Sequence, residues 1–412
     1  MMIRARIFLI ILTSFFCTAE AATLCQKKNT KLKSAKCSTL ARATIPKTAP
    51  KTAPKTASKT APKTASVPAP APVPASVPVP VPVPASASAS APAPAPAPAP
   101  ANSMMMPFVD INKNIPREVG YSVKRIQATD EQPSDGDGGT GAFRIVCKPS
   151  HMSNDDPIVY PGQQGAAHHH TFFGNTSTNY NSDLSAMATT GNSTCSGGIM
   201  NRTAYWVPSM IDTTNGTPIA PDFAIFYYKT GWADSKDTFT PPPKGLRMIA
   251  GNPNATSEAT SASRFTCLAP EGVTKPFYGW TASIPQCAVG DSLQMAVLFP
   301  QCWDGINLDS PDHHSHMAYP AAGTGSTCPK THPVLIPEIG LNLSYLITAT
   351  GLSKNWRLSS DNYSSNLPAG YSAHGDWVNG WDEDTMKAIV KNCLQPFKDC
   401  HAHLLGDGKM FY

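Results

Sequence analysis

The chain has 412 residues, and its 33 Lys and Arg against 28 Asp and Glu give a formal net charge of +5. That charge is divided unevenly. Residues 22–101 hold 11 basic and no acidic residues, whereas residues 102–412 hold 20 basic and 27 acidic residues. A nucleic-acid-binding domain is basic on its own account, so we expect no nucleic-acid partner for the acidic C-terminal part.

The first 21 residues have the order of a secretory signal. Arg4 and Arg6 precede an apolar run from Ile7 to Cys17, and Ala19-Glu20-Ala21 offers small residues to a signal peptidase. The run is shorter than the roughly 20 residues that span a bilayer. We therefore predict a signal peptide over residues 1–21, a secreted or cell-surface location, and no transmembrane segment in the mature chain.

Residues 22–101 have the composition of a tether. Lys-Thr-Ala-Pro and Lys-Thr-Ala-Ser repeat from Lys47 to Ser66, and Pro then alternates with Ala, Val or Ser up to Ala101. This segment has too little apolar surface for its burial to offset the entropy lost on ordering. Its dense proline favours an extended spacer. We predict a disordered segment that either reaches across a cell wall or acts as a plain spacer.

Residues 102–412 are predicted to form one mostly β domain. Candidate strands, rich in aromatic and branched residues and bounded by turn residues, lie at 142–146, 223–228, 293–299 and 343–347. Only one amphipathic helix is expected, from acidic residues at Asp382 to Leu394, before Pro396. The predicted fold is a β-sandwich or jelly roll with long loops and a short C-terminal helix.

Cysteine usage fits an exported protein. Eleven cysteines include Cys17 in the predicted signal, Cys25 and Cys37 before the tether repeats, and eight in the domain. An even count in an exported chain indicates disulfides. No Cys-x-x-Cys pair is present, which disfavours a cysteine zinc site.

Histidines are concentrated in three loop-like segments. They comprise His168-His169-His170, then His313-His314-Ser315-His316 with His332 beyond, and His374-Gly375-Asp376. A His-x-His pair on extended chain points both rings to one side, and neutral imidazole is a common ligand for zinc or copper. We predict His168, His170 and His332 as metal ligands.

The same segments offer groups for acid–base chemistry. We predict His374, Asp376 and His316 as catalytic residues that exchange a proton with a hydroxyl or glycosidic oxygen. A second interpretation has these histidines bonded to backbone carbonyls in buried loops. A paired-carboxylate hydrolase built from Asp304, Asp309, Asp312 and Asp376 is a third possibility. His151, His401 and His403 lie outside the three segments and are predicted to be surface or tail residues.

Aromatic residues flank the polar motifs. We predict that Trp206, Trp303, Tyr319 and Trp377 form a substrate-binding surface, with sugars among the plausible ligands. The alternative for each is core packing, since Trp is highly buried on average.

Several of these motifs resemble the signature of an uncharacterised family of secreted domains, mainly fungal with some bacterial members. The resemblance runs from about Phe143 to Trp381. Its motifs are Asp156-Pro157-Ile158, His168-x-His170, Tyr205-Trp206-x-Pro208, Cys302-Trp303-Asp304-Gly305, His313-x-Ser315-His316, Cys328-Pro329, His332-Pro333 and His374-Gly375-Asp376. Some members carry a WSC-type sugar-binding module, which this chain lacks. The resemblance therefore implies membership and an indirect link to sugars, with no agreed activity.

Two functions follow from these observations. We predict a secreted carbohydrate-active domain that uses a His/Asp centre, with zinc or copper as the divalent metal, on extracellular or cell-wall polysaccharide. The alternative is a non-catalytic cell-wall or glycan-binding module whose histidines are structural. Convergence of the three histidine segments in space is the observation that separates them.

Overall fold

The computed structural model describes residues 106–233, 236–258, 262–277, 279–321 and 328–412. The predicted signal peptide and tether, with Cys25 and Cys37, lie outside the described residues.

The described part is built mainly from short strands. They are β1 (Ile126–Ala128), β2 (Ser134–Asp135), β3 (Ala142–Cys147), β4 (Pro149–Ser153), β5 (His170–Gly174), β6 (Ala204–Pro208), β7 (Met210–Asp212), β8 (Thr217–Ile219), β9 (Phe223–Lys229), β10 (Arg247–Gly251), β11 (Ser263–Leu268), β12 (Ser292–Leu298), β13 (Cys302–Trp303), β14 (Met317–Ala318), β15 (Val334–Leu335), β16 (Glu338–Leu346), β17 (Trp356–Leu358), β18 (His374–Val378), β19 (Lys398–Asp399) and β20 (Lys409–Phe411). The predicted mostly β fold is confirmed, and the four predicted strands correspond to β3, β9, β12 and β16.

Two sheets carry the architecture. A seven-stranded sheet has the order β11-β12-β16-β9-β3-β19-β2, and a five-stranded sheet has the order β10-β18-β6-β5-β4. Neighbouring strands are antiparallel except β3 and β19, which pair in parallel. Three smaller sheets, β1-β20, β14-β13-β15 and β17-β7-β8, complete the described strands.

One hydrophobic core joins the inner faces of the two large sheets. Phe226 and Leu341 come from the seven-stranded sheet, and Tyr205 and Trp377 come from the five-stranded sheet. Gly375 lies where the two sheets approach closely. A Cβ atom there would be 3.1 Å from a methyl carbon of Leu341. The side chains that alternate with these core residues face away from the core, as the period of two in a strand requires.

The predicted C-terminal helix is confirmed. A helix that we call α1 spans Glu383–Ile389 and continues as a π-helix over Val390–Leu394. The Asp382 side chain accepts a hydrogen bond from the backbone N–H of Thr385, which satisfies one free donor at the helix start. Short 3₁₀ helices are found at Ile111–Lys113, Asp137–Gly139, Leu184–Thr189 and Leu352–Asn355.

The eight cysteines of the domain form four disulfides, as predicted. The pairs are Cys147–Cys195, Cys267–Cys287, Cys302–Cys328 and Cys393–Cys400. Such bonds are compatible with an extracellular protein. Among the helices that the structure describes, none combines the length and apolar character needed to cross a bilayer.

Candidate metal centre

The outer face of the five-stranded sheet carries a group of converging polar side chains. In β18, Trp377 points into the core between the sheets, so His374 and Asp376 point outward. In β5, Phe173 faces the core and His170 lies on the outer face. Strand β6 lies between β5 and β18, so His170 and His374, which are distant in sequence, lie on the same surface of the sheet.

The connection between β4 and β5 delivers the remaining members. This segment is closed at its base, because the backbone N–H of Ala167 donates to the carbonyl of Asn154 at 3.1 Å. The side chain of Asn154 donates back to the carbonyl of Ala167 at 3.2 Å. The closed segment contains Asp156, and it is followed by His168, which lies two residues before His170, the first residue of β5.

Three imidazoles meet at this point. The ring centroids of His168 and His170 are 4.2 Å apart, and those of His168 and His374 are 4.9 Å apart. The Nε2 atoms of His168 and His374 are separated by 3.1 Å. In a tetrahedral zinc site with Zn–N bonds of about 2.0–2.1 Å, two nitrogen ligands lie about 3.3 Å apart. The spacing is therefore close to that of two ligands of one ion.

Backbone hydrogen bonds orient two of the rings. His170 Nδ1 lies 3.0 Å from the carbonyl oxygen of Asp155, and His374 Nδ1 lies 2.8 Å from that of Ser372. A carbonyl can only accept, so each Nδ1 carries the proton and each Nε2 of a neutral ring keeps a lone pair that could bind a metal ion. His170 Nε2 is buried and has no hydrogen-bond partner among the described residues. Metal-binding histidines are oriented in this way.

Two buried carboxyl groups adjoin the imidazoles. Ligand atoms of Asp156, His170 and Asp376 lie within 4.8 Å of one another, as do those of His168, His170 and His374. Asp156 accepts hydrogen bonds from the backbone N–H groups of Ile158 and Val159. Asp376 Oδ2 has no hydrogen-bond partner in the described part of the chain.

Burial controls the protonation of these groups. Desolvation holds the pKa of His168 and His170 well below the usual value and lowers the pKa of His374 to about 4. Desolvation, followed by repulsion from Asp156, raises the pKa of Asp376 well above its usual range. The three imidazoles are therefore neutral at neutral pH, which is the form that binds metal.

A shallow depression adjoins the cluster. It is lined by Ile249, which pairs with Asp376 across the β10–β18 register, and by His313 and Tyr319. The Nδ1 of His313 lies 3.0 Å from a carboxylate oxygen of Asp309. His313 also lowers the pKa of Asp156 electrostatically, although burial has the larger and opposite effect on that carboxyl. The second histidine segment therefore approaches the cluster through His313.

The structure brings together only part of the predicted site. His168, His170, His374 and Asp376 converge, whereas His316 and His332 do not belong to the group. His316 Nε2 lies 2.7 Å from the carbonyl oxygen of Arg247, and His332 Nε2 lies 2.9 Å from that of Ser315. His316, which is buried, therefore has the structural role that the alternative interpretation gives to the histidines, whereas His332 bonds a carbonyl but is only half-buried.

Two of the four aromatic residues that were predicted to bind substrate are not at the surface. Trp206 and Trp377 are fully buried and present no face to a ligand. Trp377 packs between the sheets, and Trp206 lies under the cluster, where it stacks on Phe172. Trp303 is half-buried and its indole N–H donates to the carbonyl of Asn307. Tyr319 is exposed and lines the depression beside the cluster.

Other sequence expectations also change. His151 was expected at the surface, but it is buried and stacks on Phe172 with ring centroids 4.6 Å apart. Asp304 and Asp312 accept hydrogen bonds from the backbone of their own loop. The carboxyl group close to Asp376 is that of Asp156, whose position in the Asp156-Pro157-Ile158 motif was the available sequence signal.

A family model described as a domain of unknown function, DUF1996, matches residues 156–381, which is more than half of the chain. The chain belongs to the DUF1996 family. The match includes all five converging residues and both partners of the His313–Asp309 pair. No curated protein and no solved structure matches this DUF1996 chain.

Proposed function

We propose that this DUF1996 domain holds a divalent transition-metal ion and acts on extracellular polysaccharide at that centre. His168, His170 and His374 supply the nitrogen ligands. Asp376 and Asp156 either complete the coordination or orient a bound molecule. Imidazole donors suit zinc and copper better than magnesium or calcium, which prefer oxygen.

The observation that carries the proposal is the convergence of three neutral imidazoles, in which the Nε2 atoms of His168 and His374 are 3.1 Å apart and His170 Nε2 has no hydrogen-bond partner among the described residues. Burying polar groups without partners costs about 1–3 kcal/mol each. Two acceptors of the cluster, His170 Nε2 and Asp376 Oδ2, are buried without a hydrogen-bond partner among the described residues. A bound cation would offset this cost, since buried charges are paired or coordinate metals.

The arrangement also leaves a route for a ligand. His168 is only half-buried, while His170 and His374 are buried, so the open side of the cluster lies at His168. A divalent ion held by these residues would lower the pKa of a bound water and polarise a substrate oxygen. In this proposal Asp376 exchanges a proton with the bound molecule, and Tyr319 offers an exposed ring in the adjoining depression.

Elemental analysis of the purified protein tests the metal. We expect close to one equivalent of zinc or copper per chain and a loss of affinity of at least 100-fold in His170→Ala, because removal of outer partners alone costs 10–100-fold. His332→Ala is the matched control and should retain the metal. Unchanged metal content in His170→Ala would overturn the proposal.

A second function, glycan binding without turnover, is favoured by the fully satisfied rings of His316 and His332. The two functions differ in products. Insoluble glycan incubated with the metal-loaded protein should release soluble oligosaccharides, and a chelator should stop the release. Retention of the protein on the glycan with no product, with or without the chelator, would instead support the binding module.

A further inference from the structure

The outer face of the seven-stranded sheet contains a second polar depression, which we call the sheet groove. It is lined by Tyr227 and Lys229 from β9, Arg264 from β11, Glu338 from β16, and Trp280. Its floor is made of small residues in the middle of the sheet, Ala296 on β12 and Gly340 on β16. Glycine inside a strand weakens it and often marks a place where a ligand approaches the backbone closely.

Three charged side chains in the sheet groove make no salt bridge or side-chain hydrogen bond to another described residue. Lys229, Arg264 and Glu338 are half-buried. Lys229 and Arg264 lower the pKa of Glu338, while burial raises it by a larger effect. No ion pair or side-chain hydrogen bond joins any of the three to another residue in the described ranges, and Arg264 Nε is buried without a partner. The polar ends of these groups are therefore available to hydrogen-bond a ligand, which would also satisfy the buried Arg264 Nε.

Aromatic rings fix the two cations in place. The Arg264 guanidinium lies 4.3 Å from the ring centroid of Trp280, and Lys229 Nζ lies 4.4 Å from that of Tyr227. Such contacts orient a cation without using its hydrogen-bond donors. Two oriented cations beside one carboxylate give this groove a positive charge on a domain that is acidic as a whole.

Tyr319 connects the sheet groove to the depression beside the metal centre. It lines that depression, and its hydroxyl donates to the carbonyl of Leu298, a residue that also lines the groove. Burial and then Glu338 raise the pKa of Tyr319. A polymer seated in the groove would thus pass close to the depression.

We propose that the sheet groove is a binding subsite for a uronic acid unit of an acidic polysaccharide. Arg264 and Lys229 receive the sugar carboxylate, and Glu338 with Asn342 accepts hydrogen bonds from the ring hydroxyls. Charge complementarity selects this ligand over a neutral sugar. The inference rests on the proposed function only in taking a polysaccharide as the ligand.

Calorimetric titration of the full chain with an oligogalacturonate, and with the same oligomer fully methyl-esterified, tests the subsite. We expect the ester to bind at least tenfold more weakly than the free acid. The double variant Lys229→Gln/Arg264→Gln should bind the free acid at least tenfold more weakly than the wild type does. Lys391→Gln, an exposed charge on the C-terminal helix, is the control and should change affinity less than twofold. Equal binding of acid and ester, or no binding of the acid, would overturn the assignment.

Glu338→Gln separates a specific subsite from a merely positive surface. A merely positive surface binds an anionic oligomer more tightly once the acidic charge is removed, whereas the subsite loses affinity because its hydroxyl acceptor is weakened. Tighter binding by Glu338→Gln would therefore contradict the proposal. His170→Ala should retain the binding, so a failure of the metal proposal and a failure of this one give different results.

Discussion

At the scale of single residues, the bonding of both ring nitrogens separates the histidines. In His170 and His374 the Nδ1 proton is held by a carbonyl and Nε2 is directed to the cluster. In His316 and His332 both ring nitrogens have partners elsewhere. The sequence places all four in similar polar loops, so spacing alone could predict the His168-x-His170 pair but could not separate the other rings.

His151 provides a prediction for the pH dependence of stability. Burial, and then repulsion from Arg117, lowers its pKa to about 3. The unfolded chain binds the proton near the ordinary value of about 6.5. The contribution of the neutral His151 ring to the free energy of unfolding is therefore fully present above pH 6.5. It is lost as pH falls from 6.5 towards 3, by up to about 1.4 kcal/mol per pH unit.

Urea denaturation at several pH values, with chelator present throughout, measures this effect. His151→Phe keeps a ring that can stack on Phe172 but removes the titration. Its free energy of unfolding should fall less steeply below pH 6.5 than that of the wild type. Identical slopes for the two proteins would show that His151 does not carry the effect.

At the scale of elements, residue patterns predict where strands lie but not which strands pair. Alternating and aromatic-rich runs predicted β3, β9, β12 and β16 to within a few residues, except that β16 starts earlier, at Glu338. The order β18-β6-β5, which unites His374 with His170, depends on contacts between strands distant in the chain. Single-strand periodicity contains no information on such partners.

Gly375 links the packing of the two sheets to the candidate metal centre. Its Cβ position is 3.1 Å from Leu341 Cδ1 and 3.3 Å from Val297 Cγ1. Gly375→Val should destabilise the domain by about 1–3 kcal/mol through overpacking, and Gly375→Ala should have a smaller effect. Chemical denaturation measures both changes.

The same substitution should weaken metal binding, because His374 and Asp376 flank Gly375 on β18. Elemental analysis of folded Gly375→Val would report this change. A valine variant with wild-type stability and full metal content would show that the close approach of the sheets does not position the site.

At the scale of the whole molecule, the sequence predicts the fold class and the disulfides. The even cysteine count predicts disulfides, and the runs of aromatic and branched residues predict a mostly β domain; the described residues confirm both. The sheet groove could not have been predicted, because Lys229, Arg264 and Glu338 come from three strands far apart in sequence. In its own segment each is an ordinary charged residue, and the three form a groove only when their strands are brought together in the sheet.

The central claim is that one ion is bound by three histidines on the outer face of the five-stranded sheet. A crystal structure of the metal-loaded protein, with an anomalous difference map recorded at the absorption edge of the metal, tests it most directly. We expect one dominant peak about 2.0–2.1 Å from the Nε2 atoms of His168, His170 and His374. A peak at His332 or elsewhere, or none at this cluster after loading with one equivalent, would contradict it.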